Sequence, residues 1–241
     1  MKNLKYKHLS CNNLNKDTIS SMLILMQDNY SNITEEQFLQ DLSTKQFVGL
    51  LCDEDNKVRG FTTYAVNPNQ SGTENYSVLF SGDTIISPEF WGTIELIRGW
   101  CFSVAQIMKT DPNKTWYWFL LSKGHRTFMY LPLFFEQYYP QIEGNIKQQA
   151  DLFNLMETLA VKIYPKLYQA GTGIIRFPYE GGELKESLAQ GTFDKAYKKH
   201  VNWFIQKNPY FYLGDELICL SKIDPTNMRG FAKDFLTQHL A

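Results

Sequence analysis

Several residues in this sequence have types and positions suited to chemistry. Asp83 stands in the middle of the β-rich run 78–86 (VLFSGDTII), where a carboxylate is expected only if it is paired or functional. It is therefore a candidate general base, with Glu89 and His125 as further candidates close to the same region. Gly92 and Thr93 fall where a strand gives way to a helix, so their N–H groups lie at the positive end of a helix dipole. That arrangement suits an anion such as a phosphate, and it equally suits an ordinary strand–helix turn. Lys123 and Arg126 follow the next strand, at the sheet end where open α/β proteins place ligands. They read either as phosphate partners or as solvated charges. No metal site is indicated, because His8, His200 and His239 are scattered and no HExxH or Cys/His cluster occurs. Gly171-Thr172-Gly173 lacks the third glycine of a dinucleotide fingerprint, and neither a GxxxxGK loop nor a Gly-x-Ser-x-Gly elbow is present.

The elements that must position these residues lie in 78–140. The run 78–86 stops at Ser87-Pro88, where proline ends a ladder. From Gly92, the residues Ile94, Ile97, Trp100, Cys101, Val104 and Met108 recur at helical steps, and Asp111-Pro112-Asn113 breaks the helix. TWYWFLL (115–121) is a continuous apolar run, as in a strand buried on both faces. Residues 125–140 then read as one short apolar helix ending at a proline. Strand, helix and strand in this order imply two parallel strands joined by a crossover.

Before this unit, 6–10 reads as a strand and 18–29 as a helix capped by Asp17. Thr34-x-x-Gln37 has the form of a capping box. Residues 47–52 and 58–66 form a hairpin, and 67–75 an exposed loop. After it, 146–164 is strongly helical, and 171–182 reads as a strand followed by a glycine-rich turn. Residues 193–207 suggest one amphipathic helix with Tyr197, Val201 and Phe204 inward; 216–223 is a strand and 226–240 a terminal helix. Two regions are expected: a core over 1–141, and an α+β extension over 142–241 that forms a second unit or completes the first.

At 44% hydrophobic and 15% aromatic residues over 241 positions, the chain can bury a substantial core. A net charge of −1 recommends neither nucleic acid nor an anionic membrane as partner. Cys11, Cys52, Cys101 and Cys219 lack CxxC spacing and read as free thiols in a reducing compartment. With no apolar run after the N-terminal lysines and none of membrane-spanning length, a cytoplasmic protein is expected.

The predicted order β–α–α–β–β–β–α–β–α over 5–139, just over half the chain, resembles the GNAT superfamily of N-acyltransferases. Ile86-Ser87-Pro88-Glu89-Phe90 is similar to that family's Val-x-Pro-Glu-Tyr-like phrase. Trp91-Gly92-Thr93-Ile94-Glu95-Leu96 stands where the family has Arg/Gln-x-x-Gly-x-Gly/Ala, and keeps one glycine. Lys123 replaces a family Asn, Tyr130 keeps the Tyr seven residues on, and Leu133-Phe134-Phe135 replaces Leu-Gly-Phe. The resemblance implies a mixed, mostly antiparallel sheet flanked by helices. It implies acetyl-CoA or another acyl-CoA as donor, or an acyl-carrier protein, and an amine of a small molecule or protein as acceptor. By the same resemblance Trp91, Gly92 and Thr93 would hold the pyrophosphate, with Lys123 and Arg126 as charged partners. Ile85, Ile86 and Ser87 would run beside the pantetheine arm. Tyr130 would protonate the departing thiolate or, on the alternative, pack in the core, and Asp83 would deprotonate the amine. Ile94 and Leu96 narrow the room for phosphates without removing the helix amides. The aromatic run 116–139 is expected to line an apolar acceptor or acyl pocket. A catalytically inactive ligand- or protein-binding module of the same fold is the alternative.

Overall fold

A computed structural model describes residues 4–67, 74–177 and 182–241. The loop at 67–75 and the glycine-rich turn near 182 fall largely outside the described residues. In chain order the elements are β1 (Lys5–Ser10), α1 (Lys16–Asn29), β2 (Tyr30–Ser31), α2 (Glu35–Ser43), β3 (Phe47–Cys52), β4 (Val58–Val66) and β5 (Tyr76–Ile86). The crossover helix α3 (Glu95–Met108) leads to β6 (Thr115–Ser122), α4 (His125–Phe128) and α5 (Tyr130–Phe134). Then come α6 (Ile146–Ile163), β7 (Tyr168–Gln169), β8 (Ile174–Ile175), β9 (Glu183–Leu184), α7 (Glu186–Phe193), α8 (Lys199–Lys207), β10 (Glu216–Ile223) and α9 (Gly230–Leu240).

One sheet runs β1-β3-β4-β5-β6-β10-β8-β7, antiparallel throughout except for the parallel pair β5–β6. The segment beyond residue 141 thus supplies three strands to the same sheet. Alternation along β6 explains why its sequence is apolar from Trp116 to Leu121. Trp116, Trp118 and Leu120 meet α3 and α9 on one face, while Phe119 meets α6 on the other. α1 and α2 cover that second face over β3, β4 and β5. Tyr6 enters between β3 and α3 where Gly49 and Gly99 have no side chain; a Cβ at either would overlap its ring. The Tyr6 hydroxyl then bonds Tyr64 Oη at 2.9 Å and Ser103 Oγ at 2.8 Å. Among the described residues, no helix is long and apolar enough to cross a membrane.

Where elements depart from expectation, local chemistry gives the reason. Asn15, not Asp17, caps α1, accepting from Thr18 N–H at 2.8 Å. The Thr34–Gln37 capping box is formed in both directions, a device that stabilises a helix start by about 1 kcal/mol. The helix expected over 125–140 is two short ones. Pro132 has no N–H to donate to the carbonyl four residues back, at Phe128, where α4 stops. The chain beyond runs extended, bridging Phe135 to Met228 and Tyr139 to Leu220. The helix expected over 193–207 is also divided. Phe211 contacts both Phe193 and Phe204, at 5.1 and 5.5 Å between ring centres. A straight helix would hold those two rings about 16 Å apart along its axis. The break leaves Tyr197 81% exposed rather than inward. At the C-terminus, a 3-10 turn at Pro225–Asn227 precedes α9, which starts at Gly230.

Candidate active site

The site is made by two paired strands separating. β5 and β6 stay in register from Tyr76–Thr115 to Ser81–Leu120 and then diverge. The cause is on the other edge of β5: Thr62 pairs with Thr84, but Tyr64 with Ser81, so Gly82 and Asp83 together oppose Thr63. Such a bulge bends its strand, and Thr84 is held on β4 by a 2.9 Å hydroxyl contact to Thr62. Ser87 N–H donates to Arg59 at 2.8 Å. By antiparallel alternation Ile85 faces β4 as well, and the backbone N–H groups of Thr84 and Ile86 face the opening. Asp83 reaches mid-strand as the second residue of the bulge.

Two cavities occupy the opening and share Tyr30, Thr84 and Thr127 as walls. The first, about 420 Å³, contains Ile85, Ile86, Trp91, Gly92, Thr93 and Arg126, expected at the cofactor, and Tyr130, expected as a catalytic acid. A 3-10 turn at Pro88–Phe90 delays α3 until Glu95, and Gly92 takes φ +87°, with no atom within 4 Å of where a Cβ would stand. The amides of Gly92, Ile94, Leu96 and Ile97 meet no acceptor among the described residues. Thr93 differs: its N–H bonds Phe90 O at 3.2 Å and its hydroxyl accepts from Glu95 N–H at 3.2 Å, so it lines the cavity without a free amide. Trp91 Nε1 donates to Ile86 O at 2.9 Å, and the Arg126 guanidinium lies 3.8 Å from the Trp91 ring centre, a cation–π contact that fixes both. Tyr130 has its hydroxyl pushed up to about 12 by burial, and that hydroxyl makes no hydrogen bond among the described residues.

Two members of that group sit elsewhere. Ser87 is buried and lines a separate polar groove, because its amide ties it to Arg59. Lys123 turns into the second cavity, where Nζ donates to Gly182 O at 2.6 Å and pairs with Glu216 at 3.1 Å. In place of Lys123 the first cavity has Lys195, just beyond α7, which reads in sequence as part of a solvated helix face. His125 lines the first cavity but is buried, with Nδ1 2.8 Å from Thr192 Oγ1, and burial followed by nearby cations lowers its pKa to about 4.

The second cavity, about 410 Å³, holds Asp83 together with Asp41, Glu216, Lys45 and Lys123. Burial, then the charge of Asp41, pushes the Asp83 pKa up to about 7, with Lys45 opposing. Its aromatic walls are Tyr30, Phe38, Phe80, Tyr164 and Phe177, contributed by segments on either side of 116–139. The aromatics of 116–139 are instead mostly core: Trp116, Trp118, Phe119, Phe128, Phe135 and Tyr138 are buried. A third, enclosed space of about 20 Å³ meets the first two at Thr84 and Thr127 and is walled by Leu96, Ile97, Trp100, Trp118, Leu120 and Tyr130. The buried Trp100 Nε1 has no hydrogen-bond partner among the described residues. Asp41, Glu216, Tyr30 and Tyr164 were missed in sequence because each belongs to an element remote from 78–140. Among the described residues, no group of three or more His, Cys, Asp or Glu is placed to hold a metal ion.

No protein-family model and no curated protein sequence matches the chain. Among solved structures, one similar to it is a probable N-acyltransferase of Enterococcus faecalis V583, at 14% identity and TM-score 0.41. The match covers 57% of this chain and 33% of that one, so only about a third of that protein is spanned. A GNAT family N-acetyltransferase of Escherichia coli in complex with CoA matches at 8% identity over 51% of this chain and 64% of its own, TM-score 0.37. The NatC complex bound to Gag peptide and CoA matches at 11% identity over 93% of this chain and 100% of its own, TM-score 0.42. These superpositions are partial, and the fold is read from the strands themselves. An antiparallel sheet interrupted by one parallel pair, joined through a crossover helix and splayed at a bulge, is the mixed, mostly antiparallel sheet flanked by helices that the GNAT resemblance implies.

Proposed function

We propose that the protein transfers an acyl group from an acyl-CoA to a primary amine by direct attack on the thioester. One observation carries the reading: a cavity with free amides and cations and a cavity with a neutral-range carboxylate meet at Thr84 and Thr127 in the splay of β5 and β6. The amides near Gly92, with Arg126 and Lys195, suit a pyrophosphate. The outward N–H groups of Thr84 and Ile86 suit the amide-bearing pantetheine arm and the carbonyl oxygen as negative charge develops on it. Asp83 takes a proton from the acceptor ammonium, and the amine nitrogen forms a bond to the thioester carbon. The carbon–sulfur bond then breaks, the thiolate receives the Tyr130 proton, and the remaining extra proton of the nitrogen returns to the Tyr130 phenolate, leaving the neutral amide, while Asp83 releases its proton to solvent. Holding both reactants at one junction supplies much of the rate. The 20 Å³ space has room for one water-sized group, since about 10–15 Å³ is needed for that, so the transferred group is acetyl.

Calorimetric titration with acetyl-CoA and hexanoyl-CoA, joined to a thiol-release assay with an amine acceptor, tests this. Saturable binding with acetyl turnover at least tenfold above hexanoyl is expected. Absence of binding by both would sink the transferase reading; faster hexanoyl transfer would sink the acetyl assignment alone.

A further inference from the structure

Two ammonium groups of the protein itself already lie in the Asp83 cavity, and both are held in the same manner. Lys45 Nζ is 2.6 Å from the Asp41 carboxylate and 5.2 Å from the Phe80 ring centre. Lys123 Nζ is 3.1 Å from Glu216 and 5.1 Å from the Tyr30 ring centre. A carboxylate and an aromatic face together replace the water that a primary ammonium loses on burial. The third carboxylate, Asp83, hydrogen-bonds the Asp41 carboxylate and forms no ion pair of its own among the described residues. Tyr30 and Tyr164 line the same cavity. Among the described residues the cavity thus holds three carboxylates and two ammonium groups, one ammonium short.

Charge balance narrows the ligand further. Among the described residues, with Asp41 and Glu216 matched by the two lysines, the ionised cavity keeps one negative charge, at Asp83. Among those residues a ligand carboxylate meets no free cation and adds repulsion, and a second ligand ammonium meets no free carboxylate. Much of the remaining wall, including Met26, Ile33, Phe38, Leu121 and Phe177, is apolar and suits a ring or alkyl body.

We infer that the acceptor is a primary amine on an apolar, preferably aromatic, body without a carboxylate, its ammonium seated on Asp83 beside Tyr30 and Tyr164. The inference rests on the acyltransferase reading for its chemistry but makes its own claim about binding. The matched probes are phenethylamine and phenylalanine, which differ by one carboxylate, with spermidine as the polycation. Each is titrated calorimetrically into the full chain with CoA present and absent, and acetyl transfer is followed separately by thiol release. Phenethylamine is expected to bind saturably and at least about tenfold more tightly than either other probe, the factor that corresponds to about 1.4 kcal/mol. Asp83→Asn is expected to weaken phenethylamine about tenfold and leave CoA binding in place. Phenylalanine or spermidine binding as tightly as phenethylamine, or no phenethylamine binding, overturns the inference. Phenethylamine binding without CoA binding or thiol release instead overturns the acyltransferase reading and leaves the ammonium site standing.

Discussion

Asp83 is held in a position that folding alone does not favour. Its pKa, raised to about 7 by burial and by Asp41, lies above the ordinary carboxylate value of 3.8, so the folded state binds its proton more tightly than the unfolded chain. The stability this contributes is fully present below 3.8 and is lost as pH rises through 7. Asp83→Asn should therefore melt higher than the wild type at pH 8 while losing about 10²–10⁴-fold in kcat/KM. The acid limb near pH 7 in the wild-type profile should vanish with it. A variant that melts lower at pH 8, or keeps that limb, would remove Asp83 from the base role. Tyr130 presents the complementary case. Its hydroxyl makes no hydrogen bond among the described residues, so Tyr130→Phe should shift stability by no more than about 0.5 kcal/mol. Its kcat should fall about 10²-fold. A large drop in Tm with kcat unchanged would return the ring to a packing role.

At the scale of elements, the proposed donor site turns on the loop between β5 and α3. Gly92 sits at φ +87° with open space around it, so a side chain there is opposed by backbone conformation rather than by collision. Gly92→Val should store about 1–3 kcal/mol of strain or re-route the turn. Measured by calorimetry, its Kd for acetyl-CoA should rise more than tenfold; an unchanged Kd would show that the turn does not touch the donor. This turn also marks where the sequence could and could not be read. The strands over 47–86 and 115–122 declared themselves by composition, and Ile85, Ile86, Gly92, Arg126 and Tyr130 line one cavity because all depend on one strand–helix–strand unit. Ser87 and Lys123 did not, because their directions are set by partners distant in sequence, Arg59 for one and Glu216 with Gly182 for the other. The division of 125–140 could have been taken from Pro132. The division of 193–207 could not, since it depends on Phe211 filling the angle.

For the molecule as a whole, the two cavities draw on different stretches of chain. The amide-lined one is mostly 84–134, with Asn29 and Tyr30 before that stretch and a few residues of 184–195 and Phe231 after it. The acidic one needs α1, α2, α6 and β10 at once. Because the cavities adjoin at shared walls rather than lying one behind the other, donor and acceptor can be bound together. Initial rates measured against both substrates should give intersecting double-reciprocal lines; parallel lines, and acyl label retained on the protein without acceptor, would point to a covalent intermediate.

The position of β6 has one more consequence. It lies between β5 and β10, with apolar side chains on both faces and its backbone groups paired on both sides along most of its length. A chain ended after residue 141 would leave TWYWFLL as a bare margin of the sheet, an open template for the same strand of another molecule. Such a fragment would be expected to self-associate into insoluble material rather than persist as a smaller transferase. The C-terminal hundred residues thus act as a permanent guard on the most aggregation-prone strand of the protein, whatever else they contribute to binding.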